Sequence, residues 1–289
     1  MKRSGLFIGL AVLSFGLSTM CDATELRMRP ISPDNNLNLK IIGGNPALKS
    51  DWPVTLVFTN GSDQCTATIV GEQVVLTAAH CVGSADQVFV NATNEWIELI
   101  CQRHPRYVEP RPGKPLPCRL YKEPEDIVSC TADVAICLRK DGQNFPASVG
   151  TFERVKNTPP ATAAHNEVQL LGYGCLAAGG KMNDTLQIGH PLVAWVSAPG
   201  SSSNPKDTYH EFIKTNGSGA LCDGDSGGSA YTSTDQKHRE IIAVASRGNL
   251  STDSYLVNLL DPTIIEWLRH FSPAAIICGL HPDARNCTF

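Results

Sequence analysis

Cys222-Asp223-Gly224-Asp225-Ser226-Gly227-Gly228 is the stretch on which the reading of this chain turns. A serine among glycines lets the backbone bend sharply and presents a hydroxyl and bare amide N–H groups to one reacting atom. Such a serine reads as a nucleophile. A hydroxyl is a weak nucleophile at neutral pH, so it needs a base, and the base needs a group that fixes its tautomer. Thr77-Ala78-Ala79-His80-Cys81 and Asp133-Val134-Ala135-Ile136 supply both residue types upstream. A GxSxG match alone is common by chance, and a lone His or Asp is more often structural than catalytic. The three together, in the order His, Asp, Ser, carry much more.

These motifs resemble those of the chymotrypsin-like serine endopeptidases, and the likeness runs over about residues 41 to 271. The resemblance implies that His80 takes the proton of Ser226, that Asp133 holds the imidazole, and that the amides of Gly224 and Ser226 form the oxyanion hole. Each such donor is worth about 3 kcal/mol in a transition state. Lys40-Ile41-Ile42-Gly43-Gly44 resembles the family's activation site. Cutting after Lys40 would free an Ile41 ammonium, and Asp225 is the buried carboxylate expected to receive it.

Counting back from Ser226 along the family pattern sets Ala220 at the base of the primary pocket with Leu221 beside it, which favours an apolar P1 residue. Ala245-Ser246-Arg247-Gly248 resembles the family's S-W-G wall strand with Arg247 in place of tryptophan, so Ser246, Arg247 and Gly248 are expected to meet substrate. The segment from Asn249 to Ser254 is shorter than usual and lacks the cysteine that normally bonds to the position of Cys222. Its Asp253 either reaches into the pocket and favours Lys or Arg at P1, or is a solvated or Arg247-paired loop carboxylate.

The resemblance pairs Cys65 with Cys81, and pairs Cys175, after Gly172-Tyr173-Gly174, with Cys222. Cys278 and Cys287 read as closing a local C-terminal loop. For Cys101, Cys118, Cys130 and Cys137 three connectivities stay open. Between His104-Pro105-Arg106-Tyr107 and Asp133 lies a long stretch with Pro110, Pro112, Pro115, Pro117 and Pro124, which is either a stiffened lid over the cleft or a tolerated surface insertion.

Composition sets wider bounds. With 289 residues, 42% hydrophobic and 18% charged, the chain can bury a full core, and disorder is not the default. A net charge of -4 without long runs of one sign gives no reason to expect nucleic acid or an anionic membrane as partner. Met1-Lys2-Arg3, an apolar stretch from Leu6 to Leu17 and a small residue at Ala23 have the form of a secretory leader over residues 1–23, too short to span a bilayer. Loss of Cys21 with that leader turns eleven cysteines into an even number, which suits disulfides in an exported, secreted or periplasmic protein. There is no C-x-x-C pair or clustered Cys/His spacing of a zinc site, and no cofactor or metal is expected. N-x-[ST] sequons start at Asn60, Asn91, Asn183, Asn216, Asn249 and Asn286, and matter only in a host that glycosylates.

Residues 24–40 are polar, carry Pro30 and Pro33, lack a clear period, and read as a propeptide. Beyond them come short apolar and β-branched runs broken by turn residues, an all-β signature without the intervening helices of a parallel α/β fold. One helix is expected late, with Pro262 in its first turn and Ile264, Ile265, Trp267, Leu268 and Phe271 at helical spacing. The expectation is an all-β fold of two antiparallel six-stranded β-barrels, chymotrypsin-like, over 41–271. The barrels divide near 155–165, and a C-terminal extension covers 272–289. The leading function is a secreted serine endopeptidase made as a zymogen, acting on protein or peptide substrates after another protease cuts it. The alternative is a non-catalytic binding protein on the same scaffold.

Overall fold

A computed structural model describes residues 26–29, 41–60, 63–82, 87–91, 96–108, 132–177, 180, 183, 185–196, 212–217, 219–232 and 238–288. The leader, Lys40, the proline-rich insertion, Cys118 and Cys130 lie outside the described residues.

The strands fall into two units, as the alternating pattern requires. The first is a closed barrel built from β1 (Leu26–Arg29), β3 (Thr55–Asn60), β4 (Asp63–Gly71), β5 (Val74–Thr77), β6 (Gln87–Asn91), β7 (Trp96–Arg103) and β8 (Ala135–Arg139), in the spatial order β1-β3-β4-β5-β8-β7-β6. The second is an eight-stranded sheet built from β2 (Asn45–Pro46), β9 (Gln169–Gly172), β10 (Gln187–Gly189), β11 (Leu192–Val196), β12 (Phe212–Asn216), β13 (Ser229–Tyr231), β14 (Ile241–Gly248) and β15 (Ser254–Asn258), in the order β11-β12-β15-β14-β13-β9-β10-β2. This is the two-barrel chymotrypsin-like architecture, with strand counts that differ from six and six.

The extra strand of the first barrel comes from the segment read as a propeptide. β1 pairs antiparallel with β3 and parallel with β6, so it supplies the backbone partners that close the barrel. Four residues are too few to show a period, which is why the strand is invisible in the sequence. In β7 the alternation is clean once the partners are known: Ile97, Leu99 and Cys101 are buried, while Ile100 and Gln102 face out. Its mixture of charged and apolar residues hides it among loops when read alone. β5 is buried at every position because it packs from both faces.

The two units meet in one apolar cluster, and the second also has a core of its own around Leu170, Val193, Ile213, Ile242 and Leu256. Leu56, Ile69, Leu76 and Ile136 of the first barrel form a single apolar cluster with Tyr231, Val244, Leu268 and Ile277. The late helix α2 (Pro262–His270) starts where expected, and the Asp261 carboxylate accepts from the Thr263 and Ile264 N–H groups at 2.8 and 3.3 Å, with Pro262 in the first turn. Trp267 meets the ring of His104 edge-on at 4.9 Å, tying the helix to the end of β7. The segment after 271 packs on the first barrel: the Cys278 N–H donates to the Val70 carbonyl at 2.8 Å, and Cys278 is fully buried.

Disulfides join Cys65 to Cys81, Cys101 to Cys137, Cys175 to Cys222 and Cys278 to Cys287. Cys101 and Cys137 face each other in the β7–β8 register, which selects among the connectivities the sequence leaves open. A buried bidentate pair also spans the seam: the Arg239 guanidinium holds Glu153 at 2.5 and 2.9 Å and lies 3.7 Å above the Trp52 ring.

Candidate active site

His80 lies in α1 (Ala79–Val82), a single turn after β5, stapled to β4 by the Cys65–Cys81 disulfide. Asp133 precedes β8, whose pairing with β5 sets it beside that turn. The His80 backbone N–H donates to Asp133 Oδ1 at 2.9 Å, and His80 Nδ1 lies 2.6 Å from Asp133 Oδ2. Ser246 Oγ donates to the same Oδ2 at 2.6 Å. Burial alone would raise the Asp133 carboxyl. The neighbouring imidazole, the Ser246 hydroxyl and the charge of Arg247 outweigh burial and hold it well below the usual carboxylate range. It is therefore an anion throughout the neutral range, able to fix the imidazole tautomer and to stabilise a charged ring.

Ser226 comes from the other unit. Its turn is pressed onto the first barrel, since the Thr66 N–H donates to the Ser226 carbonyl at 2.8 Å. Gly227 has φ +82°, and a Cβ there would lie 2.2 Å from the Thr66 carbonyl oxygen, so only glycine fits this crossing. The Ser226 hydroxyl donates to the Ser246 carbonyl at 3.2 Å, and no hydrogen bond links it to His80. His80 and Ser226 line one cleft of about 340 Å³ together with Leu221, Cys222, Asp223, Ser246, Arg247, Gly248 and Leu250. Among the described residues, neither the Gly224 nor the Ser226 amide donates to a backbone carbonyl. Thr66 Oγ1 fixes this loop by donating to the Gly224 carbonyl at 2.8 Å.

Asp225 is fully buried and accepts from the Gly174 N–H and the Cys222 N–H, each at 2.8 Å. Burial pushes its carboxyl up to about 7, and the nearby Asp223 adds to the effect. Among the described residues no cation pairs with it. Ile41 is also fully buried, and Ile42 forms an isolated antiparallel bridge with Ala220, but no hydrogen bond joins Ile41 to Asp225.

Of the expected substrate-binding residues, Leu221, Ser246, Arg247 and Gly248 line the cleft. Ala220 is buried against Ile42 and is not part of that lining. Asp253 is also outside it: its carboxylate lies 3.2 Å from Nζ of Lys214 on the neighbouring strand β12. Asn249 Oδ1 accepts the N–H groups of Ser251, Thr252 and Asp253, which makes that turn tight and puts Leu250, at φ +57°, into the cleft mouth. Thr66, Leu250 and Ser254, whose Oγ accepts the Leu221 N–H at 2.9 Å, went unrecognised in the sequence because their partners are dozens of residues away. Cys65, His80 and Cys81 bring three ligand-type atoms together, but the two sulfurs are joined in a disulfide and offer no thiolate to a metal.

A family model described as Trypsin matches residues 41–258. A trypsin-like protease of Streptomyces glaucescens is 28% identical over 93 residues, a match that spans 32% of each chain. Among solved structures, a mutant of human heparin binding protein (CAP37) superposes with a TM-score of 0.55 at 14% identity, over 79% of this chain and 95% of that one. The inactive form of the Rv3671c protease aligns with a TM-score of 0.46 at 15% identity, over 75% of this chain and 93% of that one.

Proposed function

The chain belongs to the Trypsin family, and from that premise we propose that it is a secreted serine endopeptidase made as a zymogen, with His80, Asp133 and Ser226 as its catalytic residues. The observation that carries this reading is the 2.6 Å contact of His80 Nδ1 with a buried, anionic Asp133, with His80 and Ser226 lining one cleft. In the proposed reaction Ser226 Oγ attacks a peptide carbonyl while His80 Nε2 takes its proton. Asp133 stabilises the imidazolium, the Gly224 and Ser226 amides meet the oxyanion, and His80 returns the proton to the leaving amine. Water then repeats the sequence on the acyl-enzyme.

Cutting after Lys40 would give Ile41 an ammonium, and the unpaired Asp225 carboxylate is the group it would reach, shaping the oxyanion loop. The substrate would lie extended along Ser246–Gly248. The pairing of β13 with β14 reaches only Val244, and beyond a bulge at Ser246 the residues Arg247 and Gly248 pair with Tyr255 and Ser254 of β15, which leaves their other edge to the cleft. P1 would sit beside Ser246, whose carbonyl is next to Ser226 Oγ, and P3 beside Gly248. Leu221 and Leu250 at the mouth, with Asp253 held by Lys214, support an apolar P1 residue over Lys or Arg. A heparin-type binding role would rest on a strongly cationic surface, which a chain of net charge -4 does not favour.

A peptide-library digest with the chain cut after Lys40 tests the proposal. Cleavage after Leu, Phe, Tyr, Met or Ala is expected, together with its loss in Ser226→Ala. Cleavage undiminished in that variant would overturn the assignment, and cleavage after Lys and Arg that disappears in Asp253→Ala would overturn the apolar pocket.

A further inference from the structure

Among the described residues, Arg247 is the one Lys or Arg that lines the cleft, and no carboxylate forms an ion pair with it. Among the described acids at the site, Asp133 is buried and holds His80 and Ser246, and Asp223 lines the cleft without an ion pair to Arg247. Arg247 is half-buried, so its charge is less screened than on an open surface. It already acts on its surroundings, being one of the groups that hold the Asp133 carboxyl low.

Register identifies what it faces. On the substrate path proposed above, P1 lies beside Ser246 and P3 beside Gly248, so P2 lies opposite Arg247. In an antiparallel pair directly opposite residues project on the same face, with Cβ atoms about 4.5–5.5 Å apart. The P2 side chain and the guanidinium therefore share one face of the cleft, next to His80. Resting on the peptidase reading, we infer that Arg247 is a specificity-determining residue that selects an acidic side chain at P2. The planar fork of the guanidinium suits a carboxylate in two parallel hydrogen bonds. A lysine at P2 meets like charge and is disfavoured.

The test uses the chain cut after Lys40 and internally quenched peptides that keep one P1 residue and carry Glu, Gln or Lys at P2. Glu is expected to exceed Gln in kcat/KM by about fivefold, the range of a partly screened charge pair, with Lys below Gln. The spread should shrink at high salt. It should vanish in Arg247→Gln and reverse in Arg247→Glu. Labelling of Ser226 by a fluorophosphonate, followed in each protein, reports that the site is assembled. Labelled, active enzyme with equal rates on the three peptides overturns the role of Arg247. Absence of labelling in the unsubstituted cut chain overturns the peptidase reading and this inference with it.

Discussion

The carboxylate of Asp225 occupies space that exists only because residue 174 is glycine: the Gly174 N–H donates to Asp225 Oδ1 at 2.8 Å, and a Cβ on Gly174 would lie 2.5 Å from the Asp225 Cγ and Oδ2 atoms. Gly172 is placed in the same way, with a would-be Cβ 2.1 Å from Oδ1. The Gly172-Tyr173-Gly174 stretch is thus the cradle for the acid beside the candidate nucleophile. Gly174→Ala must push the carboxylate or the backbone aside, and overpacking of this kind costs about 1–3 kcal/mol. Chemical denaturation should show a loss of that size, and unchanged stability would mean that the cradle yields freely.

The same carboxylate makes stability depend on pH. Its ordinary value of 3.8 rises to about 7 in the fold. A raised value means that the folded chain binds the proton more tightly than the unfolded one. The favourable contribution is complete below about pH 4 and is lost as pH rises through about 7. The uncut chain should therefore lose Tm by several degrees between pH 5 and 8. Asp225→Asn, which cannot ionise, should flatten that slope, and so should cutting after Lys40 if the Ile41 ammonium reaches the site. An equal slope in Asp225→Asn would assign the effect to other groups.

The pair between Glu153 and Arg239 spans the junction of the two units, with both residues buried and the guanidinium stacked on Trp52. Glu153→Gln leaves the arginine without its counter-charge in the interior, a change that costs about 3–5 kcal/mol. Urea unfolding should move to a clearly lower midpoint. A loss under about 1 kcal/mol would show that the carbonyl of Asp51 and the Trp52 face suffice to hold the cation.

What the sequence made legible is what local chemistry writes plainly. The turn around Ser226, the α2 start at Asp261-Pro262 and the short β-branched runs announce themselves within a few residues. β1, β2, β10 and β13 did not, because two to four residues without an unbroken apolar run show no period and form only when a partner edge is present, and β7 did not because charged residues interrupt its apolar ones. Arg247 was visible as a departure from pattern, but its lack of an ion pair among the described residues is a property of the assembled cleft. The role of Thr66 could not be read at all: its contact with Gly224 bridges 158 positions, and a buried strand threonine carries no local mark of it. Asp253 was ambiguous for the same reason, since Lys214 belongs to a different strand.

The central claim is that Ser226 is a nucleophile activated by His80 and Asp133. Mass spectrometry of the chain cut after Lys40, treated with a fluorophosphonate, tests it most directly. The account predicts one phosphonyl adduct, on the peptide containing Ser226, formed rapidly and abolished in Ser226→Ala. It also predicts that labelling is greatly slowed in His80→Ala, where no base remains to take the proton. An intact chain carrying no adduct, or an adduct that persists on another residue in Ser226→Ala, would contradict it.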